Sequence, residues 1–270
     1  MKKLLLIFAF FAVLFAEPQN GFFSSVGVGA GYTRYQEPGV MKTNQALLDF
    51  NGEVGYRYDF LKAKVEADYL SSFGFYSGGI LDLSGGLETH VKDNGLEAGN
   101  TFASDRIFDG RLQLGIDILV FHSDIDLFLQ SGIGYWLLED IFTAYKRTQT
   151  YLYVPIELEG EIRSSPSLAW TYLVSYKHFV QGRNRTLTKA SAILDTDMFF
   201  KQDKGFGFKA SFGWKEQGNN INTFTRFVVD YWNIDSSPEV PVISTLGVRG
   251  VATEPKNYTL SIYIQHGWRF

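Results

Sequence analysis

Large apolar residues recur at every second position in ten separate blocks of this chain, and polar or small residues fill the places between them. The clearest block is 258–270. There Tyr258, Leu260, Ile262, Ile264, Trp268 and Phe270 alternate with Thr259, Ser261, Gln265, Gly267 and Arg269, and only Tyr263 and His266 depart from the rule. A period of two predicts a strand with one apolar and one wet face. The other blocks are 22–35, 48–60, 62–75, 109–120, 125–138, 151–162, 168–179, 205–215 and 223–233. In 48–60, Phe50, Val54, Tyr56, Tyr58 and Phe60 oppose Asn51, Glu53, Arg57 and Asp59. In 151–162, Val154, Ile156, Leu158 and Ile162 oppose Glu157, Glu159 and Glu161.

Strands of about ten residues, with one face on lipid and the other on a polar interior, build a membrane barrel. The pattern therefore predicts an all-β, transmembrane, antiparallel up-and-down β-barrel of ten strands at 17–270. Eight and twelve are the alternatives, twelve arising if a long loop contains an extra hairpin. Hydrocarbon leaves unpaired backbone groups no partner, so the last strand must pair with the first. The connections agree with this. Short ones are predicted near 61, 122–124, 164–167 and 217–220, and longer ones at 36–47, 76–108, 139–150, 180–204 and 234–257. Outer-membrane barrels sort tight turns to one side and loops to the other.

The first residues change the picture from any sheet protein to an exported one. Lys2 and Lys3 precede an apolar run at 4–15, then Ala16, Glu17 and Pro18. That order predicts a signal peptide at 1–16, removed after Ala16, and the run is too short for a membrane helix. The chain has no cysteine, which excludes a disulfide framework and a lipidated N-terminus. Its hydrophobic fraction is 45% and its aromatic fraction 16%. A formal charge of −4 gives no reason to expect nucleic acid.

The final block, together with the leader and the strand rhythm, resembles the Gram-negative outer-membrane β-barrel superfamily. In that group a terminal strand ending on an aromatic residue is the assembly signal read by the barrel-insertion machinery. The resemblance places that role on Tyr258, Leu260, Ile262, Ile264, Trp268 and Phe270, with His266 as a departure. It implies an outer-membrane location, with membrane lipids as neighbours.

Strand parity turns nine acids inward: Glu53, Asp59, Glu66, Asp68, Asp117, Glu157, Glu159, Glu161 and Asp230. Eight bases share that side: Arg57, Lys64, Arg111, Lys177, Lys209, Lys215, Arg226 and Arg269. A barrel near this size is filled by its own side chains. The near balance predicts a lumen plugged by ion pairs, because an unpaired buried charge is costly. The Glu157–Glu159–Glu161 ladder reads either as a cation or proton site or as half of that network, with Lys177 among its partners.

No residue set earns a catalytic, cofactor or metal assignment. Asp195, Asp197 and His178 do not reproduce the local patterns of the omptin proteases. Ser175 and His178 are three apart on a strand, which places them on opposite faces. His122 with Asp124 and Asp126 reads as a solvated turn, and His90 stands without a second ligand. The loops at 76–108 and 234–257 carry apolar stretches that fit a β extension or an external partner. Three functions follow: a surface or envelope protein acting through its loops, a hydrolase of lipid A, phospholipid or peptide, and a narrow pore for small solutes or ions.

Overall fold

The computed structural model describes residues 20–78, 101–119, 124–141, 146–188, 194, 196–218, 221–245, 247 and 249–270. The expected leader at 1–16, His90, His122, Asp195 and most of the 76–108 loop lie outside them. Every element among the described residues is a β-strand. They are β1 (Gly21–Glu37), β2 (Met41–Tyr58), β3 (Leu61–Gly78), β4 (Thr101–Asp117), β5 (Ile125–Ile141), β6 (Lys146–Ser165) and β7 (Leu168–Thr186). Then follow β8 (Met198–Gln202), β9 (Gly205–Gln217), β10 (Asn222–Ile234), β11 (Val240–Ile243), β12 (Arg249–Ala252) and β13 (Asn257–Arg269).

Ten of these close an antiparallel barrel in the order β6-β5-β4-β3-β2-β1-β13-β10-β9-β7, with β7 pairing back to β6. Strand β8 continues the line of β9. It takes over the edge of β7 at 182–186, above the last β7–β9 pair, His178–Phe206. The possible eleventh and twelfth strands, β11 and β12, form their own two-stranded sheet and leave the barrel at ten. At the seam, β1 and β13 pair from Ser25–Arg269 to Gln36–Tyr258. Ser24 and Phe270 extend this pairing with reciprocal backbone hydrogen bonds of 3.0 and 2.9 Å.

The strands run well past the apolar blocks. Strand β6 has 20 residues, which at a tilt of about 40° rises about 50 Å, twice the height of a lipid-facing band. The connection expected at 36–47 is instead a turn at 38–40, with Gly39 at φ 75°. The reason is physical. In 41–46, Thr43 and Gln45 face inward while Lys42 faces outward. Where a strand has left the hydrocarbon both faces are polar, and the alternation that marks it disappears.

Outward positions match the apolar face of each block: Val26, Val28, Phe50, Leu112, Leu114, Ile156, Val174, Phe212 and Ile264 are all exposed. Inward positions hold the core, which is polar at the end that carries the short turns and aromatic nearer the loops. Asp59, expected inside, instead sits in the β2–β3 turn with φ 54°, its N–H bonded to Asn20 Oδ1 at 2.6 Å.

Candidate functional site

The lumen is built in layers. At the turn end, where Asn20 and Phe270 lie, a cavity of about 400 Å³ opens between Arg57, Lys62, Asp126, Glu159, Glu161 and Lys215. Its charges are matched. Arg57 meets Asp117 at 3.3 Å and Asp126 at 3.0 Å, Lys62 meets Glu159 at 2.9 Å, and Lys215 meets Glu161 at 2.7 Å. The Phe128 ring lies beneath both Arg57 and Lys62.

Above the cavity the side chains close on one another. Arg111, from β4, pairs with Glu66 of β3 and with Glu157 of β6, the latter at 3.2 Å. Lys64 reaches Glu157 at 3.2 Å and Glu159 at 2.7 Å. Lys209, from the far wall, meets Asp68 at 2.6 Å. Lys177 binds Asp109 at 3.0 Å and Asp230 at 2.7 Å. The glutamate ladder is thus served by Lys62, Lys64, Arg111 and Lys215. Lys177 goes to the two aspartates instead, because Pro155, and no glutamate, is its partner on β6.

Of the seventeen charged residues expected to face the lumen, Asp59 lies in a turn and thirteen are in ion pairs. Glu53 lines the turn-end cavity without a salt bridge. Arg226 bonds Gln265 through Nε and stacks over Phe224. Gln265 in turn donates to Asp49 at 2.7 Å and Asp68 at 3.3 Å. Asp49, Asp109, Gln130 and Gln265 are further members that charge counting passed over. The two glutamines carry no charge to count, while Asp49 and Asp109 share the inward parity of Asn51 and Arg111.

Over the ion pairs lies an aromatic layer. Trp136 stacks on Tyr151 with ring centroids 4.6 Å apart and planes 3° from parallel. Trp232 packs against both, at 6.1 and 5.4 Å, and against Tyr153 at 5.1 Å. Phe179 and Tyr263 belong to the same buried cluster. Lys177 Nζ, 4.8 Å from the Trp232 ring, links the two layers. Trp136, Tyr151, Tyr153 and Trp232 were not singled out from the sequence, although strand parity places them opposite the apolar faces of their blocks.

At the loop end one base serves several acids. Arg147 pairs with Glu37, with Asp140 at 3.3 Å and with Glu254 at 3.5 Å. Asp105, buried, stands opposite Asp140 on the neighbouring strand. Glu254 comes from the segment between β12 and β13, which folds inward. Its N–H is held by Ser237 Oγ at 2.9 Å, and Gln149 donates to its carboxylate at 2.9 Å. Burial pushes the Glu254 carboxyl up to about 8; Arg147 opposes the rise and Glu37 adds to it.

The catalytic candidates do not converge. Ser175 points inward and is fully buried, while His178 faces outward beside Tyr176. His266 is also outward and shares a 2.9 Å hydrogen bond with Thr225 on β10, which satisfies an imidazole on the apolar face. Asp197 is held at the surface by Arg185 at 3.0 Å. Among the described residues no three His, Asp or Glu side chains stand in a metal-binding arrangement. Tyr258, Leu260, Ile262, Ile264 and Trp268 follow one another on the outward face of β13.

No protein-family description matches this chain, and no curated protein matches it either. Solved structures do. The outer membrane protease OmpT from Escherichia coli is 8% identical over 95% of this chain and 99% of its own, with a TM-score of 0.60. The translocator domain of autotransporter NalP from Neisseria meningitidis is 12% identical over 100% and 95%, with a TM-score of 0.42. The attachment invasion locus protein Ail of Yersinia pestis is 10% identical over 93% and 99%, with a TM-score of 0.33. At 8% identity the likeness to OmpT is one of fold alone, that of the closed ten-stranded barrel.

Proposed function

We propose that this chain, which has the outer-membrane β-barrel fold, is an outer-membrane protein whose barrel is a closed anchor and whose role lies on its loop-end surface, in surface attachment or envelope integrity. The observation that carries the reading is the double closure of the lumen. Arg111, Lys64 and Lys209 bridge the walls at one height, and Trp136, Tyr151 and Trp232 fill them at another. A solute path would have to break buried ion pairs and an aromatic core together. Strands that project beyond the apolar band, tied at the loop end by the inward-turned Glu254, supply a rigid platform for loops. The protease activity of OmpT is not carried over, since both described histidines point away from the lumen.

The test compares cells carrying the intact chain, a chain with 79–100 replaced by a short turn, and a chain with Arg111→Met in the lumen. Attachment to host matrix and resistance to large hydrophobic antibiotics are scored. The reading expects the loop replacement to lose the phenotype while retaining a folded, membrane-extracted barrel. Loss of the phenotype only on lumen substitution, in a barrel still folded, would overturn it.

A further inference from the structure

Bases stand directly opposite one another at two places among the described residues. Arg57 faces Lys62 across β2 and β3, and Arg183 faces Lys201 across β7 and β8. Like charges in that relation repel. The first pair lies in the turn-end mouth, and Asp117, Asp126 and Glu159 offset it. The second has no such offset. Neither the Arg183 nor the Lys201 side chain makes an ion pair or hydrogen bond, and neighbouring Asp197 is engaged by Arg185.

Both bases are exposed on the outward face, in a row with Thr150, which pairs with Arg183 from β6. Their height is telling. Outward below them lie Tyr176 and Val180 on β7 and Phe206 and Phe208 on β9, the apolar belt nearer the loops, and Phe199 lies outward beyond Lys201 on β8. Arg183 follows Val180 by three residues, about 10 Å along the strand and about 7 Å along the membrane normal at the usual tilt. The headgroup layer on each side of the hydrocarbon is about 5–8 Å deep.

We infer that Arg183 and Lys201, with Thr150 beside them, form a docking surface for the terminal phosphate of a membrane-lipid headgroup. The guanidinium offers a fork to two phosphate oxygens and the ammonium a point charge, while the Thr150 hydroxyl, which donates to the Arg183 carbonyl at 3.4 Å, borders them. A lipid fits better than a free anion. The patch is open to solvent, where salt screens a lone ion, whereas a lipid's own chains hold its phosphate at this level and raise its effective concentration. The inference rests on the membrane-embedded reading above.

Phosphatidic acid is the probe, added to the full chain in neutral detergent micelles, with the unfolding midpoint as readout. Phosphatidylcholine and millimolar inorganic phosphate are the comparison arms. Insertion into phosphatidylcholine vesicles is scored separately, so that failure of the embedding reading shows by itself. Phosphatidic acid is expected to raise the midpoint, and the comparison arms are not. Each base near an anionic membrane surface is worth about five-fold in affinity, so R183Q/K201Q should need about 25-fold more phosphatidic acid. In micelles without added lipid the same double variant should unfold at a slightly higher midpoint than the parent, because the repulsion is gone. A sign reversal between the two conditions is the signature. An equal response to phosphatidic acid in parent and double variant, or a full response to inorganic phosphate, would overturn the proposal.

Discussion

Arg111 and Glu157 meet across the lumen, Nη1 to Oε2 at 3.2 Å, with neither side chain open to solvent. Arg111 also holds Glu66. A pair so placed is valuable less for its own attraction than for what its loss would leave behind, since one buried charge without its partner is far worse than neither.

Arg111→Met should therefore destabilise the barrel by about 3–5 kcal/mol. The double replacement Arg111→Met with Glu157→Met should recover part of that loss. Urea unfolding in lipid vesicles, followed by tryptophan emission, measures both. Equal losses for the single and double variants would mean that the two residues are not coupled.

Trp232 is the hub of the aromatic layer and almost wholly buried. Trp232→Ala should cost about 3–5 kcal/mol through the cavity it leaves. It should not make the barrel conduct, because the Arg111 and Lys64 pairs still block the lumen beneath. The unfolding midpoint and a bilayer recording on the same preparation check the two halves of this prediction.

Glu254 gives the loop end a pH dependence whose sign is fixed by its raised carboxyl, about 8 against an ordinary 4.5. Below 4.5 the group is protonated whether or not the segment is folded. Between 4.5 and 8 the unfolded chain ionises and the buried carboxyl resists, so the stability of the folded state declines across that window and levels off above it. The full decline is about 3–5 kcal/mol. Glu254→Gln should flatten the curve. Unfolding midpoints at about pH 5 and about pH 9 suffice to see it.

Gly31 lies on the seam, where a Cβ would run into the carbonyl oxygen of Ile262 on β13. Gly31→Leu should keep β1 and β13 apart. The expected outcome is loss of the compact, heat-modifiable band on unboiled gels, whereas Gly39→Ala in the open outer turn should keep it despite its strained φ.

The membrane-facing half of this architecture was legible because lipid imposes it. Residues such as Val26, Phe50, Leu112 and Ile264 must be apolar, and their parity then assigns Glu66, Arg111 and Glu157 to the interior. Legibility failed where that solvent ends. Thr43 and Gln45 continue β2 with polar neighbours on both faces, so the strand beyond the belt read as loop. Pairing within the lumen was also beyond reach, as Lys177 illustrates. Parity fixes which way it points, but its choice of Asp109 and Asp230 depends on which strands face one another across a closed ring. The loop-end cluster needed the same knowledge, since Glu37, Asp140, Arg147 and Glu254 come from four separate stretches of chain.

The central claim is that the lumen is closed at two heights, and planar-bilayer recording of the reconstituted full chain tests it most directly. The account predicts insertion without conductance steps at either polarity. Steady, ohmic steps that grow with salt concentration would contradict it.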